Sequence, residues 1–142
     1  MSREGEPMTD NAKIIEPLAK FHVETDTQGR FYFPKATAKR YSIEINDYVD
    51  LIVRVIDKSG SVSHRARILV RVSSNRLIHL PRAFYQMAGG PKMLVEVILI
   101  GHYTADDLLS PTGRKLISLF KNKFQPISPE EEMHLLHEAL RD

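Results

Sequence analysis

The chain has 142 residues, 27% of them charged, with a formal net charge of +2 at neutral pH and no cysteine. A domain of this length can bury one core without a covalent staple, and the lack of cysteine excludes disulfides and thiolate metal sites. No apolar run reaches the length of a membrane span, and the polar start MSREGEPMTDNAK has no signal-peptide core, so a soluble cytoplasmic protein is expected.

The first dozen residues show no hydrophobic periodicity, and residues 1–19 read as a flexible N-terminal arm. Phe21 and Val23 alternate with His22 and Glu24, which predicts a strand over 21–25. TDTQG is a turn, RFYF a short strand stopped by Pro34, and KATAKRY one or two helical turns opened by that proline. Ile43 and Ile45 are expected to re-enter the core, with Asn46-Asp47 as a turn. In YVDLIVRVID, Val49, Leu51, Val53 and Val55 face one way and Asp50, Ile52, Arg54 and Ile56 the other, a strand. KSGS turns the chain back into a strand, HRARILVRV. SSNR, LIHL, Pro81 and RAFYQMA then repeat the order turn, strand, proline, helix; Gly89-Gly90-Pro91 stops the helix before the strand MLVEVILIG. The tail reads as helical. Thr104 caps a short turn of helix, and Leu116, Leu119, Phe120 and Phe124 fall at near-helical spacing. Ser128, Pro129 and Glu131 form the capping-box start of a last helix.

Charge is distributed unevenly. From Arg30 to Arg82 there are eleven Lys or Arg against four acidic residues, a surplus of seven, whereas the first 26 residues hold three basic and six acidic groups. A basic middle suits a polyanionic partner. A mixed solvated surface, with turn arginines held by Asp26, Asp47 or Asp50, would also account for it. Pairing of that kind is the preferred reading for Lys35 and Arg82, and a phosphate-facing role is preferred for Arg30.

Residues 27–35, TQGRFYFPK, and 74–82, SNRLIHLPR, make the same sequence of elements twice, which implies a duplicated unit. Each unit is too small to bury its own apolar strands, so the two are expected to share one core. The run Asp26-Thr27-Gln28-Gly29-Arg30-Phe31-Tyr32-Phe33-Pro34, followed by Ile43 and Asp47-Tyr48-Val49, resembles the SpoVT/AbrB swapped-hairpin DNA-binding family. Ser42 and Asn46 stand where that family usually has glycines, and Arg76 follows Asn75 instead of glycine. The tandem arrangement is similar in layout to the MraZ regulators.

The resemblance implies a mainly β fold with short helices: a swapped-hairpin AbrB-like β-barrel of two tandem half-units. The barrel would span 20–101 (repeats about 20–57 and 64–101), with a helical C-terminal extension over 102–142. It also implies that Arg30, Lys39 and Arg40 of the first half, and Arg76 and Arg82 of the second, face the phosphates of double-stranded DNA. Guanidinium groups grip phosphates through two parallel hydrogen bonds. Loops this short would read mainly backbone and shape.

Other chemistries find little support. His134 and His137 share a helical face at metal-ligand spacing, but no companion motif accompanies them, and a solvated face is the simpler reading. Gly89-Gly90-Pro91-Lys92 lacks the spacing of a phosphate loop. No nucleophile–base pair is visible, so no catalytic residue, metal or cofactor is expected. Tyr32, Tyr41, Phe84 and Tyr85 lie among the basic residues and are read as packing, although stacking on single-stranded bases is the other reading. The expected function is a homo-oligomeric DNA-binding transcription regulator without membrane contact. The alternative is an antitoxin-like or adaptor interaction module that engages a protein partner through residues 104–142.

Overall fold

The computed structural model describes residues 19–90, 92–120 and 124–141. The N-terminal arm, apart from Ala19, lies outside the described residues. In chain order the elements are β1 (Lys20–Glu24), β2 (Arg30–Tyr32), α1 (Lys35–Arg40), β3 (Tyr48–Ile56), β4 (Val62–Arg71), β5 (Leu77–His79), α2 (Arg82–Ala88), β6 (Leu94–Tyr103), α3 (Ala105–Leu109), α4 (Pro111–Phe120), β7 (Phe124–Pro126) and α5 (Pro129–Arg141).

The strands form two antiparallel sheets, one in the order β1-β6-β3-β4-β7 and the other the ribbon β2-β5. The duplication is visible in the pairing. β3 and β6, the last strands of the two units, pair at the centre as Leu51 with Leu99, Val53 with Val97 and Val55 with Val95. β1 flanks β6 as β4 flanks β3, and Phe31 faces Ile78 in the middle of the ribbon. Turn hydrogen bonds recur in matched pairs. The Asp26 N–H donates to the Arg30 carbonyl at 2.8 Å as the Ser73 N–H does to Leu77 at 2.9 Å, and the Phe33 N–H reaches the Arg76 carbonyl at 2.8 Å as Leu80 reaches Gly29 at 3.0 Å. The two units share one core, as their size requires.

Alternation in the long strands sends Val49, Leu51, Val53, Val55, Val95, Val97 and Leu99 to one face. Phe31, Phe33, Ile78 and Leu80 of the ribbon segments close over them, with Ala38 of α1 and Phe84 and Ala88 of α2. Each large side chain buried there stabilises the fold by about 1.5–3 kcal/mol. Ile43 joins this core, whereas Ile45, expected there, is exposed. Ile52 and Ile98 point to the opposite face and are sealed by Leu136 of α5.

A closed barrel is not formed, which corrects the sequence expectation. β2 and β5 span only about 10 Å each at ~3.3 Å per residue and pair with each other, so β1 and β7 remain edges of the larger sheet. The fold is also less dominated by β-structure than expected, with strand and helix taking nearly equal shares of the chain. The coarser expectation of antiparallel strands with short helices holds. The helical reading of the tail needs one change: α4 ends at Phe120, and Phe124 lies in β7, which pairs with Ala66–Ile68 of β4. Phe124 leaves the helical register because its ring packs on Phe84 at 5.0 Å, an attraction invisible in local spacing.

Candidate nucleic-acid interface

The first basic turn is organised by Asp26. One carboxylate oxygen accepts from the backbone N–H groups of Gln28 (2.8 Å) and Arg30 (2.9 Å), and the other from Arg30 Nε at 2.7 Å. Slight burial pushes the Asp26 carboxyl upward, but those backbone donors and the guanidinium outweigh it and hold the group below the usual aspartate value. Gly29 takes φ +73° here, and a Cβ on it would lie 2.4 Å from the Tyr85 ring, so the close turn admits glycine alone. Arg30 is partly exposed and its partner is a surface acid. Both of its terminal Nη groups are without hydrogen bonds among the described residues, and they remain available to an oxyanion.

The second turn is built differently. Arg76 occupies the place of Gly29, with φ +63°, and its Nε donates to the Phe33 carbonyl at 3.1 Å while its own carbonyl accepts the Phe33 N–H. Arg76 therefore ties the two halves together across the ribbon. Because Arg30 lies opposite His79 and Tyr32 opposite Leu77, the two turns sit at opposite ends of that ribbon.

Two short helices follow the ribbon strands through Pro34 and Pro81, as the proline spacing predicts. α1 presents Lys35, Lys39 and Arg40, all exposed, with the Arg40 guanidinium 5.5 Å from the Tyr41 ring centroid. α2 opens with exposed Arg82. Among the described residues none of Lys35, Lys39, Arg40, Arg76 or Arg82 forms an ion pair, contrary to the pairing preferred for Lys35 and Arg82. Asp47 is instead bonded to His102 at 2.8 Å, and Asp50 to Arg67 at 2.7 Å.

The remaining arginines of the basic middle have a different fate. Arg54 joins Glu96 of β6 to Glu132 of α5, with two 2.7 Å bonds to the latter. Hydrogen bonding to Glu132 leads the causes that raise its pKa beyond the ordinary arginine value, against the opposing effect of burial. Arg65 lies 3.5 Å from the same Glu132, and Arg67 grips buried Asp50 beneath the Phe120 ring. These groups fasten α4 and α5 to the sheet. The sequence marked the basic stretch but could not divide it between fastening and display, because the deciding acids, Glu96 and Glu132, are remote in the chain.

Tyr32 was read as packing, yet it is 62% exposed on the outer side of the ribbon. Period-two alternation was the signal, since buried Phe31 and Phe33 force the residue between them outward. Among the described residues no group of three or more His, Asp or Glu side chains is arranged to hold a metal ion.

The fold and surface together define a class: an internally duplicated strand–strand–helix–strand domain whose two short helices, over one face of the sheet, carry exposed basic residues. No protein-family model and no curated protein matches the chain. Among solved structures it is similar to the solution structure of PHS018 from Pyrococcus horikoshii, with 32% identity and a TM-score of 0.54 over 61% of this chain and 94% of that one. At that identity over nearly the whole of the smaller protein, this chain belongs to the same family as PHS018.

Proposed function

We propose that the protein is a DNA-binding transcription regulator that lays its cationic cap on duplex DNA. The observation that carries this reading is the division of the basic residues. Lys35, Lys39, Arg40 and Arg82 are exposed and free of ion pairs among the described residues on the side of the sheet covered by α1 and α2, while Arg54, Arg65 and Arg67 are ion-paired on the side covered by α5. Unpaired cations held on rigid short helices lose little on meeting a phosphate and release its counterions. Arg30 adds a guanidinium already oriented by Asp26. The resemblance to the SpoVT/AbrB and MraZ regulators supports this reading through the duplicated turn–strand–proline–helix unit and does not depend on barrel closure. Association of several copies would present several caps and raise avidity.

An adaptor role for residues 104–142 is the second reading, and exposed Leu109, Leu119 and Met133 favour it. The docking of Leu136 and Glu132 on the sheet leaves the outer side of α5, together with the exposed leucines of α3 and α4, for such a partner. Fluorescence anisotropy with generic duplex DNA separates the two. Lys39→Ala and Arg40→Ala should each weaken binding about equally for all duplex sequences and reduce the salt slope by about 1. Undiminished affinity in the double variant would remove the cap from the interface.

A further inference from the structure

We infer that a groove beside the Leu69–Arg71 end of β4 is a site for a nucleotide phosphate, distinct from the cap residues assigned to duplex docking. β7 pairs with β4 at Ala66–Ile68, and from Leu69 to Arg71 that edge has no strand partner among the described residues. The edge and the segment following β5 enclose an open groove of about 550 Å³ whose walls include Tyr48, Leu69, Arg71, Ser73, His79 and Leu80. Its volume lies within the roughly 300–1,000 Å³ of small-molecule sites.

The lining has two chemistries. Arg71 and His79 are exposed and, among the described residues, neither forms an ion pair or a side-chain hydrogen bond; the Ser73 hydroxyl is likewise unused. A guanidinium, an imidazole and a hydroxyl bordering one groove suit a phosphate, which the guanidinium can hold through two parallel bonds. Tyr48, paired across the strands with Arg71, supplies a ring, and Leu69 and Leu80 supply apolar wall for a flat base.

The duplicated unit provides an internal control. Glu24 faces Leu94 just as Arg71 faces Tyr48, Asp26 makes the backbone bond that Ser73 makes, and Tyr32 faces Leu77 as His79 faces Arg30. The equivalent place in the first half thus carries two acids and no arginine–tyrosine pair. A fold that accepts Glu24 there does not require Arg71, so the cationic set answers to something outside the fold.

A nucleotide could arrive free or at the phosphorylated end of a single strand. Titration of the full chain, followed by backbone amide NMR, distinguishes these sources using adenosine monophosphate, inorganic phosphate and a tetranucleotide with and without a 5′-phosphate. Saturable shifts at Arg71, Ser73 and His79 are expected with adenosine monophosphate, with inorganic phosphate weaker. Arg71→Ala should reduce affinity at least about tenfold, and Arg71→Gln replaces it should the alanine variant fail to fold. Tighter binding of the phosphorylated tetranucleotide than of the monophosphate identifies a strand end; equal or weaker binding identifies the free nucleotide. Affinity unchanged by either Arg71 substitution, shifts confined to α1, or shifts with the unphosphorylated strand alone would overturn the site. Lys39→Ala, on α1 and outside the groove lining, serves as the control that impairs duplex docking and leaves this groove intact.

Discussion

Asp26 shows how a single surface side chain sets a turn and orients its arginine. Its two oxygens fix the backbone of Gln28 and Arg30 and hold the Arg30 guanidinium, so turn geometry and arginine orientation have one cause. The turn itself was legible, since Asp26 and Gly29 are turn residues with a mechanism, whereas the Arg30–Asp26 pair is the reading that ranks second to a phosphate-facing role on sequence alone. Matching 27–35 with 74–82 sets Arg76 against Gly29, and pairing it with Arg30 would need a one-residue shift; the structure keeps the unshifted register, with Arg76 at positive φ where the first half has Gly29. Ser42 and Asn46 do take positive φ, at +56° and +75°, where the family resemblance placed glycines. Because the folded pKa of Asp26 lies below its ordinary 3.8, its charged form stabilises the protein above that value, and the contribution is lost as pH falls through the folded pKa. Asp50 acts in the opposite sense, since burial raises its pKa against the pull of Arg67 and stability from this group declines as pH rises through the window above 3.8. Urea unfolding from pH 6 down to pH 2.5 tests the assignment of Asp26. Asp26→Asn should be less stable than the parent at pH 6, and the gap should close below pH 4. A gap of constant size would mean that the charge of Asp26 contributes nothing.

At the scale of elements, the start of α5 was readable and its destination was not. Ser128 and Glu131 form the expected reciprocal cap, with bonds of 2.8 and 3.1 Å, and Thr104 and Asp107 do the same for α3. Capping is local and leaves a local signature. Docking depends on Ile52 and Ile98, two apolar positions on a strand face otherwise marked by Asp50, Arg54, Arg67 and Glu96, which the pattern alone would give to solvent. Leu136 covers both isoleucines, while Glu132, one helical turn earlier, accepts Arg54. Leu136→Ala should therefore cost about 2–5 kcal/mol of unfolding free energy, the range for truncating a buried leucine. The measurement is the midpoint of urea unfolding by far-ultraviolet circular dichroism. A cost below about 0.5 kcal/mol, the size of an ordinary surface change, would mean that α5 does not form part of the cooperative unit.

For the whole molecule, duplication explains the architecture and charge division underlies the proposed docking. Two copies of one unit supply four of the five strands of the larger sheet and the ribbon, so the shared core was foreseeable from the recurring turn–strand–proline–helix order. Closure was not foreseeable, because it depends on how far the three-residue strands reach and which strands they choose. The tail then pairs arginines on one face of the sheet, while the helices over the opposite face carry exposed basic residues without ion pairs among the described residues. If Arg30, Lys35, Lys39, Arg40 and Arg82 each meet one phosphate, the logarithm of the duplex binding constant should fall with the logarithm of salt at a slope of about −4.5, a loss on the order of 500-fold between 50 and 200 mM. Arg65→Gln, on the ion-paired face, should leave that slope unchanged, whereas Arg30→Ala should reduce it by about 1 with little change in the unfolding midpoint. A parent slope near zero would remove the electrostatic basis of docking. A slope that responds to Arg65 and ignores Arg30 would place the polyanion on the other face of the sheet.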